Sequence, residues 1–128
     1  MKKIILTVAF FTLLSCKNES QEPFGKPAET TSTEVQTPEI LGKEIFEGKG
    51  NCIACHQAEQ KVIGPSIREI AKIYKEKNGN MVKFLKGESE AIVDPSQFPV
   101  MQANLAITKT FTDDELKAVE AYINSNLK

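Results

Sequence analysis

Cys52-Ile53-Ala54-Cys55-His56 decides how this 128-residue chain is read. Two cysteines three positions apart, with a histidine directly after the second, form the attachment signature of a c-type haem. Each thiol adds across one porphyrin vinyl group to give a thioether, and the adjacent imidazole reaches the iron from the same side. A Cys-x-x-Cys pair alone is ambiguous, because zinc and thiol redox sites use it too. Zinc would need a fourth ligand beyond two thiolates and one imidazole, and His56 is the chain's one histidine. A thioredoxin-like site needs a βαβ setting that the hydrophobic pattern does not offer. A plain disulfide leaves the placement of His56 unexplained. The motif predicts one covalently bound haem, held by Cys52 and Cys55, with His56 as an axial iron ligand.

On either side of the motif the apolar residues recur at helical spacing. Ile40, Leu41, Ile45 and Phe46 mark a first helix over 39–49, and Gly50-Asn51 breaks it. Val62-Ile63-Gly64-Pro65 reads as a turn, since a proline disfavours helix at the residue before it. Ser66 with Glu69 three residues on opens a helix over 67–77 that buries Ile67, Ile70, Ala71 and Tyr74. Met81, Phe84 and Leu85 mark a short further helix stopped by Gly87. From 88 to 109 the pattern fails around Pro95 and Pro99, and the stretch reads as one long functional loop. Thr112-Asp113-Asp114-Glu115 is a capping box, followed by the apolar stripe Leu116, Val119, Tyr122, Ile123 and Leu127. No segment alternates as a strand would. The expected domain is all-α, with four to five short helices over 39–128.

The N-terminal part reads differently. Lys2 and Lys3 precede eleven residues, Ile4 to Leu14, in which only Thr7 and Thr12 are polar. That run is too short to span a bilayer, which takes about 20 helical residues, and it matches an export signal over 1–15. Leu13-Leu14-Ser15-Cys16 resembles a bacterial lipobox, so Cys16 is the expected site of lipid attachment. Several acyl chains, at about 0.8 kcal/mol per buried methylene, make a stable membrane anchor. Residues 16–38, rich in Glu, Ser, Thr, Gln and Pro, then form a polar tether too poor in apolar side chains to fold.

A second axial ligand must come from outside the motif. Met1 is lost with the signal, which leaves Met81 and Met101. Met81 shares an apolar helical face with Phe84 and Leu85, the usual place of a core methionine. Met101 sits in the irregular stretch 97–104, and a loop is the commoner carrier of a functional side chain. Met101 is the predicted ligand.

With Gly42 and Phe46, Cys52 to His56, Gly64-Pro65, the Met101 loop and the stripe from Leu116 to Ile123, residues 39–128 resemble the small bacterial class I c-type cytochromes. The resemblance implies a cytochrome c fold whose first and last helices cross through small and aromatic residues above the haem. It implies that the Pro65 carbonyl accepts the His56 Nδ1 proton, so that Nε2 meets the iron, and that Asn104 supports the Met101 sulfur. One departure is Gln102, where small members of the family often carry a proline.

The expected function is one-electron transfer, not catalysis, since His/Met ligation leaves the iron no open position. The balance of 16 basic and 17 acidic residues argues against a nucleic-acid partner. Extracytoplasmic redox proteins and a bacterial membrane are the expected partners, with the protein a monomer facing the periplasm or the cell surface. Residues 61–86 carry seven basic side chains against two acids, and 87–128 three lysines against seven acids. The basic stretch is expected to steer docking, or else to be a solvated face. The competing functions are a five-coordinate haem enzyme or gas sensor, and a haem-free thiol redox protein.

Overall fold

The computed structural model describes residues 36–127. The expected export signal, the expected lipid-attachment site Cys16 and the expected tether as far as residue 35 lie outside the described residues. Thr37 and Pro38, read from sequence as the end of that tether, open the first helix instead. Helix α1 spans Pro38–Glu47, with the Thr37 hydroxyl accepting the Ile40 N–H at 3.4 Å. Pro38 is tolerated because its missing N–H would have had no partner in the first turn. At the other end the Gly50 N–H returns to the Ile45 carbonyl at 2.8 Å. Asn51 then adopts a left-handed φ of 47° and turns the chain into a short 3-10 turn, Cys52–Ala54.

Helix α2, Ile67–Glu76, starts as its sequence implies, with Ser66 Oγ accepting the Glu69 N–H at 3.1 Å. It buries Ile67, Ala71 and Tyr74, while Ile70 is half-buried. Helix α3, Met81–Leu85, is capped by Asn80, whose side-chain oxygen accepts the Lys83 N–H at 2.8 Å. Gly87, at φ +75°, ends that segment in a conformation only glycine adopts without strain.

The stretch 88–109 is not one irregular loop. It holds a 3-10 turn at Pro95–Gln97, helix α4 at Phe98–Gln102 and helix α5 at Leu105–Thr108. Among the described residues six α-helices therefore replace the expected four to five. The two extra ones are a single turn or so each, held by outside contacts and not by propensity. Asp94 caps the 3-10 turn, and the buried Thr108 hydroxyl of α5 donates to the Leu85 carbonyl at 2.6 Å.

Helix α6, Asp113–Ser125, carries the full reciprocal capping box between Thr112 and Glu115. Lys49 pairs with the same Glu115 and lies 4.6 Å over the Phe111 ring, so the end of α1 is pinned to the start of α6. The two helices pack where Gly42 meets Ala118. A Cβ at Gly42 would overlap the Ala118 carbonyl and lie 2.8 Å from the Tyr122 Cβ, so only glycine permits this approach. Next to it the Phe46 and Tyr122 rings meet edge to face, 5.3 Å between centroids and 61° apart. Ile45, Leu116, Val119 and Ile123 complete the core at this joint, each side chain worth about 1.5–3 kcal/mol of apolar burial.

The fold is all-α. Among the described residues the one element of β pairing is an isolated antiparallel bridge between His56 and Lys61. No described helix is long and apolar enough to cross a membrane.

Candidate functional site

Cys52 and Cys55 lie on and just after the 3-10 turn, both half-buried and both free thiols. Burial pushes the Cys52 thiol up to about 11, and its S–H reaches the Gly50 carbonyl at 3.5 Å. A thiol that exchanges disulfides works through a lowered pKa. Cys52 is displaced the other way, which counts against a dithiol redox site.

His56 is fixed from two sides. Its Nδ1 lies 2.8 Å from the Pro65 carbonyl oxygen. A carbonyl only accepts, so Nδ1 carries the proton and Nε2 is left with the lone pair. The ring also lies directly against Gly64. A Cβ there would come 2.7 Å from Nδ1, so any other residue would push the imidazole out of line. The loop is itself laced to the motif by backbone bonds, Gly64 N–H to the Cys55 carbonyl and Ile67 N–H to the Gln57 carbonyl, each 2.9 Å. The turn at Val62–Pro65 was legible in sequence; its second purpose, giving the histidine room and a partner, was not.

Met101 sits on α4, half-buried, with its sulfur 4.0 Å from the Asn104 side-chain nitrogen. That is the long limit for a bond to sulfur. Met81 is 2 % exposed within the core cluster, as its helical spacing implied, and it too borders the cavity that these residues line.

These groups border one cavity. It contains about 910 Å³ of empty space, including the part open to solvent, and its walls are almost wholly apolar. Cys52, Cys55 and His56 line it, and so do Met101 and Asn104. Phe46 and Val119 reach it from the α1–α6 joint, Ile70 and Tyr74 from α2. Ile70 is half-buried because it packs against the core cluster on one side and borders this space on the other. A further part of the wall is the segment 91–94 with Phe84 and Phe98, whose rings pack 5.9 Å apart. Sequence reading passed over this wall, although Asp94-Pro95 is a turn-initiating pair that marks where the segment bends.

Two thiols able to form thioethers, an imidazole with Nε2 unpaired, a thioether sulfur and an apolar cleft fit a covalently attached haem. No described cluster of three or more His, Cys, Asp or Glu side chains could hold a bare metal ion.

The model of the cytochrome c family matches residues 40–126, the greater part of the chain. A curated relative, cytochrome c-552 of Nitrosomonas europaea, is 57 % identical over 30 residues. That match takes in 23 % of this chain and 29 % of the relative, so the chain spans under a third of the relative's length.

Proposed function

This chain belongs to the cytochrome c family, and on that premise we propose that it is a one-electron carrier with His56 and Met101 as the two axial ligands of its haem. Haem c, bound through Cys52 and Cys55, supplies a one-electron iron couple whose potential a methionine ligand raises. The polypeptide supplies the rest. Pro65 and Gly64 hold the His56 ring in one tautomer and one plane, α4 presents the Met101 sulfur, and the apolar walls keep bulk water out.

The single observation that carries this reading is that Met101, half-buried with Asn104 beside its sulfur, borders the same apolar cavity as His56, whereas Met81, the other methionine of that wall, is packed into the core. Asn104, close to the Met101 sulfur, orients the thioether. A protein ligand on each face leaves the iron no site for substrate, so the protein carries electrons and does not act as an oxidase, peroxidase or gas sensor.

The domain at 39–128 is tethered through 16–38 to a bacterial membrane by lipid on Cys16, after removal of the signal 1–15. It faces the periplasm or the cell surface as a monomer and exchanges electrons with redox proteins there. The basic stretch 61–86 steers an acidic partner onto it, and electron transfer should slow as salt screens that attraction.

The optical spectrum of the ferric holoprotein tests the ligand set. The weak red-end band of methionine-to-iron ligation should be present, disappear in Met101→Ala and survive in Met81→Ala. A high-spin ferric wild type that binds carbon monoxide rapidly on reduction would replace the carrier by a five-coordinate sensor or enzyme. Globomycin-sensitive processing and retention in the membrane fraction, both lost in Cys16→Ser, test the anchor.

A further inference from the structure

We propose that Lys61 and Asp94 form a clasp across the mouth of the cavity that holds the Met101 segment closed against the His56 loop; this rests on the assignment of Met101 as a ligand. Lys61 Nζ lies 3.0 Å from Asp94 Oδ2, joining positions 33 residues apart. Neither end is a loose surface residue. The Lys61 backbone pairs with that of His56, in the loop that also supplies Gly64 and Pro65 to the imidazole. A displacement of Lys61 is therefore a displacement of the loop that fixes His56.

Asp94 stands at the head of the other segment. Its Oδ1 accepts from the Ser96 hydroxyl at 2.7 Å and from the Gln97 N–H at 3.3 Å. Those bonds shape the 3-10 turn Pro95–Gln97, which runs directly into α4 and Met101. One oxygen of Asp94 thus builds the turn that aims α4, and the other ties it to the histidine loop. Asp94 itself borders the cavity. Beyond the packing of Phe98 on Phe84 the α4 segment has few other ties: its five residues bury none of their side chains fully, and Val100 is 57 % exposed. A segment so lightly packed opens at low cost, and a single ion pair then alters how often it does so.

The pair is a partly exposed one, with side-chain accessibilities of 56 % for Lys61 and 23 % for Asp94. Its effect is accordingly small and sensitive to salt. Both residues act through Met101 and His56 and are positioning residues. An added ligand that competes with the Met101 sulfur measures the opening, because its apparent affinity scales with the open fraction.

The test titrates imidazole into ferric holoprotein, wild type, Lys61→Met, Asp94→Asn and the double variant, at low salt and at 1 M salt. The amide in Asp94→Asn keeps an oxygen that can accept from Ser96 and Gln97, so that variant removes the charge and spares the turn. Each single variant should bind imidazole about two- to fivefold more tightly than wild type at low salt. The double variant should be no tighter than either single one, and all four should converge at 1 M salt. Affinities unchanged in the single variants, or single effects that multiply in the double, would overturn the clasp. Met101→Ala separates the two claims. Imidazole affinity unchanged by that substitution would remove Met101 as ligand, whatever the Lys61 and Asp94 variants do, whereas a large rise there with flat single variants refutes the clasp alone.

Discussion

Replacing Gly42 by alanine should loosen the joint between α1 and α6. The new methyl would overlap the Ala118 carbonyl oxygen, lie 2.5 Å from its carbon and 2.8 Å from the Tyr122 Cβ. Ordinary contacts for such an atom are 3.4–4 Å. The obstruction is backbone, so no side chain can swing aside, and the helices must part by roughly 1 Å at the crossing. A gap of that size forfeits a quarter to a half of the dispersion well for each pair that loses contact. The pairs concerned include Phe46–Tyr122 and the packing of Ile45 against the α6 stripe. Overpacking of this kind costs about 1–3 kcal/mol, and occasionally more. Alanine in place of a helical glycine returns up to about 1 kcal/mol. The net expectation is a loss of about 1 kcal/mol, or roughly 4–8 °C in midpoint for a domain of this size. Guanidinium and thermal unfolding of the holoprotein, followed by far-UV circular dichroism, would measure it. A midpoint equal to or above that of wild type would refute the claim that glycine is required at this crossing.

Other consequences follow from the same structure. Thr108→Val leaves the buried Leu85 carbonyl without its hydroxyl donor and should cost about 1–3 kcal/mol in denaturant unfolding. Acid should destabilise the fold in a definite window. Bonds from Ser96 and Lys61 hold the Asp94 carboxyl below its ordinary 3.8, Lys86 does the same for Asp113, and Lys49 holds Glu115 below 4.5. The unfolded chain takes up these protons first, so the stabilisation is complete above about pH 5 and is lost as pH falls through the lowered folded values. Lys86→Met should flatten that fall in an acid titration of stability. Cys52→Ala/Cys55→Ala should yield no covalent haem and no stably folded domain, because the apolar walls of the cavity would lose what they enclose; a cooperative thermal transition in that variant would contradict this.

Much of this architecture is written in short-range signals. The capping box at Thr112 and Glu115, the cap at Ser66 and the stop at Gly87 are each set by neighbours within four residues, and each forms as read. The motif Cys52 to His56 is equally local. Helices α4 and α5 escaped because five and four residues show no period, and distant bonds hold them: the Lys61 ammonium to Asp94, the Leu85 carbonyl to Thr108. Ile70 posed a different difficulty. Its spacing announces an apolar neighbour but is the same whether that neighbour is protein or prosthetic group. Met101 follows from elimination among the methionines and from its irregular stretch, whereas Asn104 needs the resemblance to class I cytochromes, since nothing in its spacing points at the His56 loop; both border the cavity.

The thiol of Cys52 also sets an order of assembly. Burial holds it above the ordinary thiol range, and it sits half-buried on the turn that follows α1. In the closed domain it is a poor nucleophile in a poor position. Thioether formation therefore belongs to the period before α1 and α6 meet, when the motif is still an open stretch of chain accessible to whatever delivers the porphyrin. Folding acts afterwards as the seal on a finished bond, since a chain without its haem has no stable closed domain to enter.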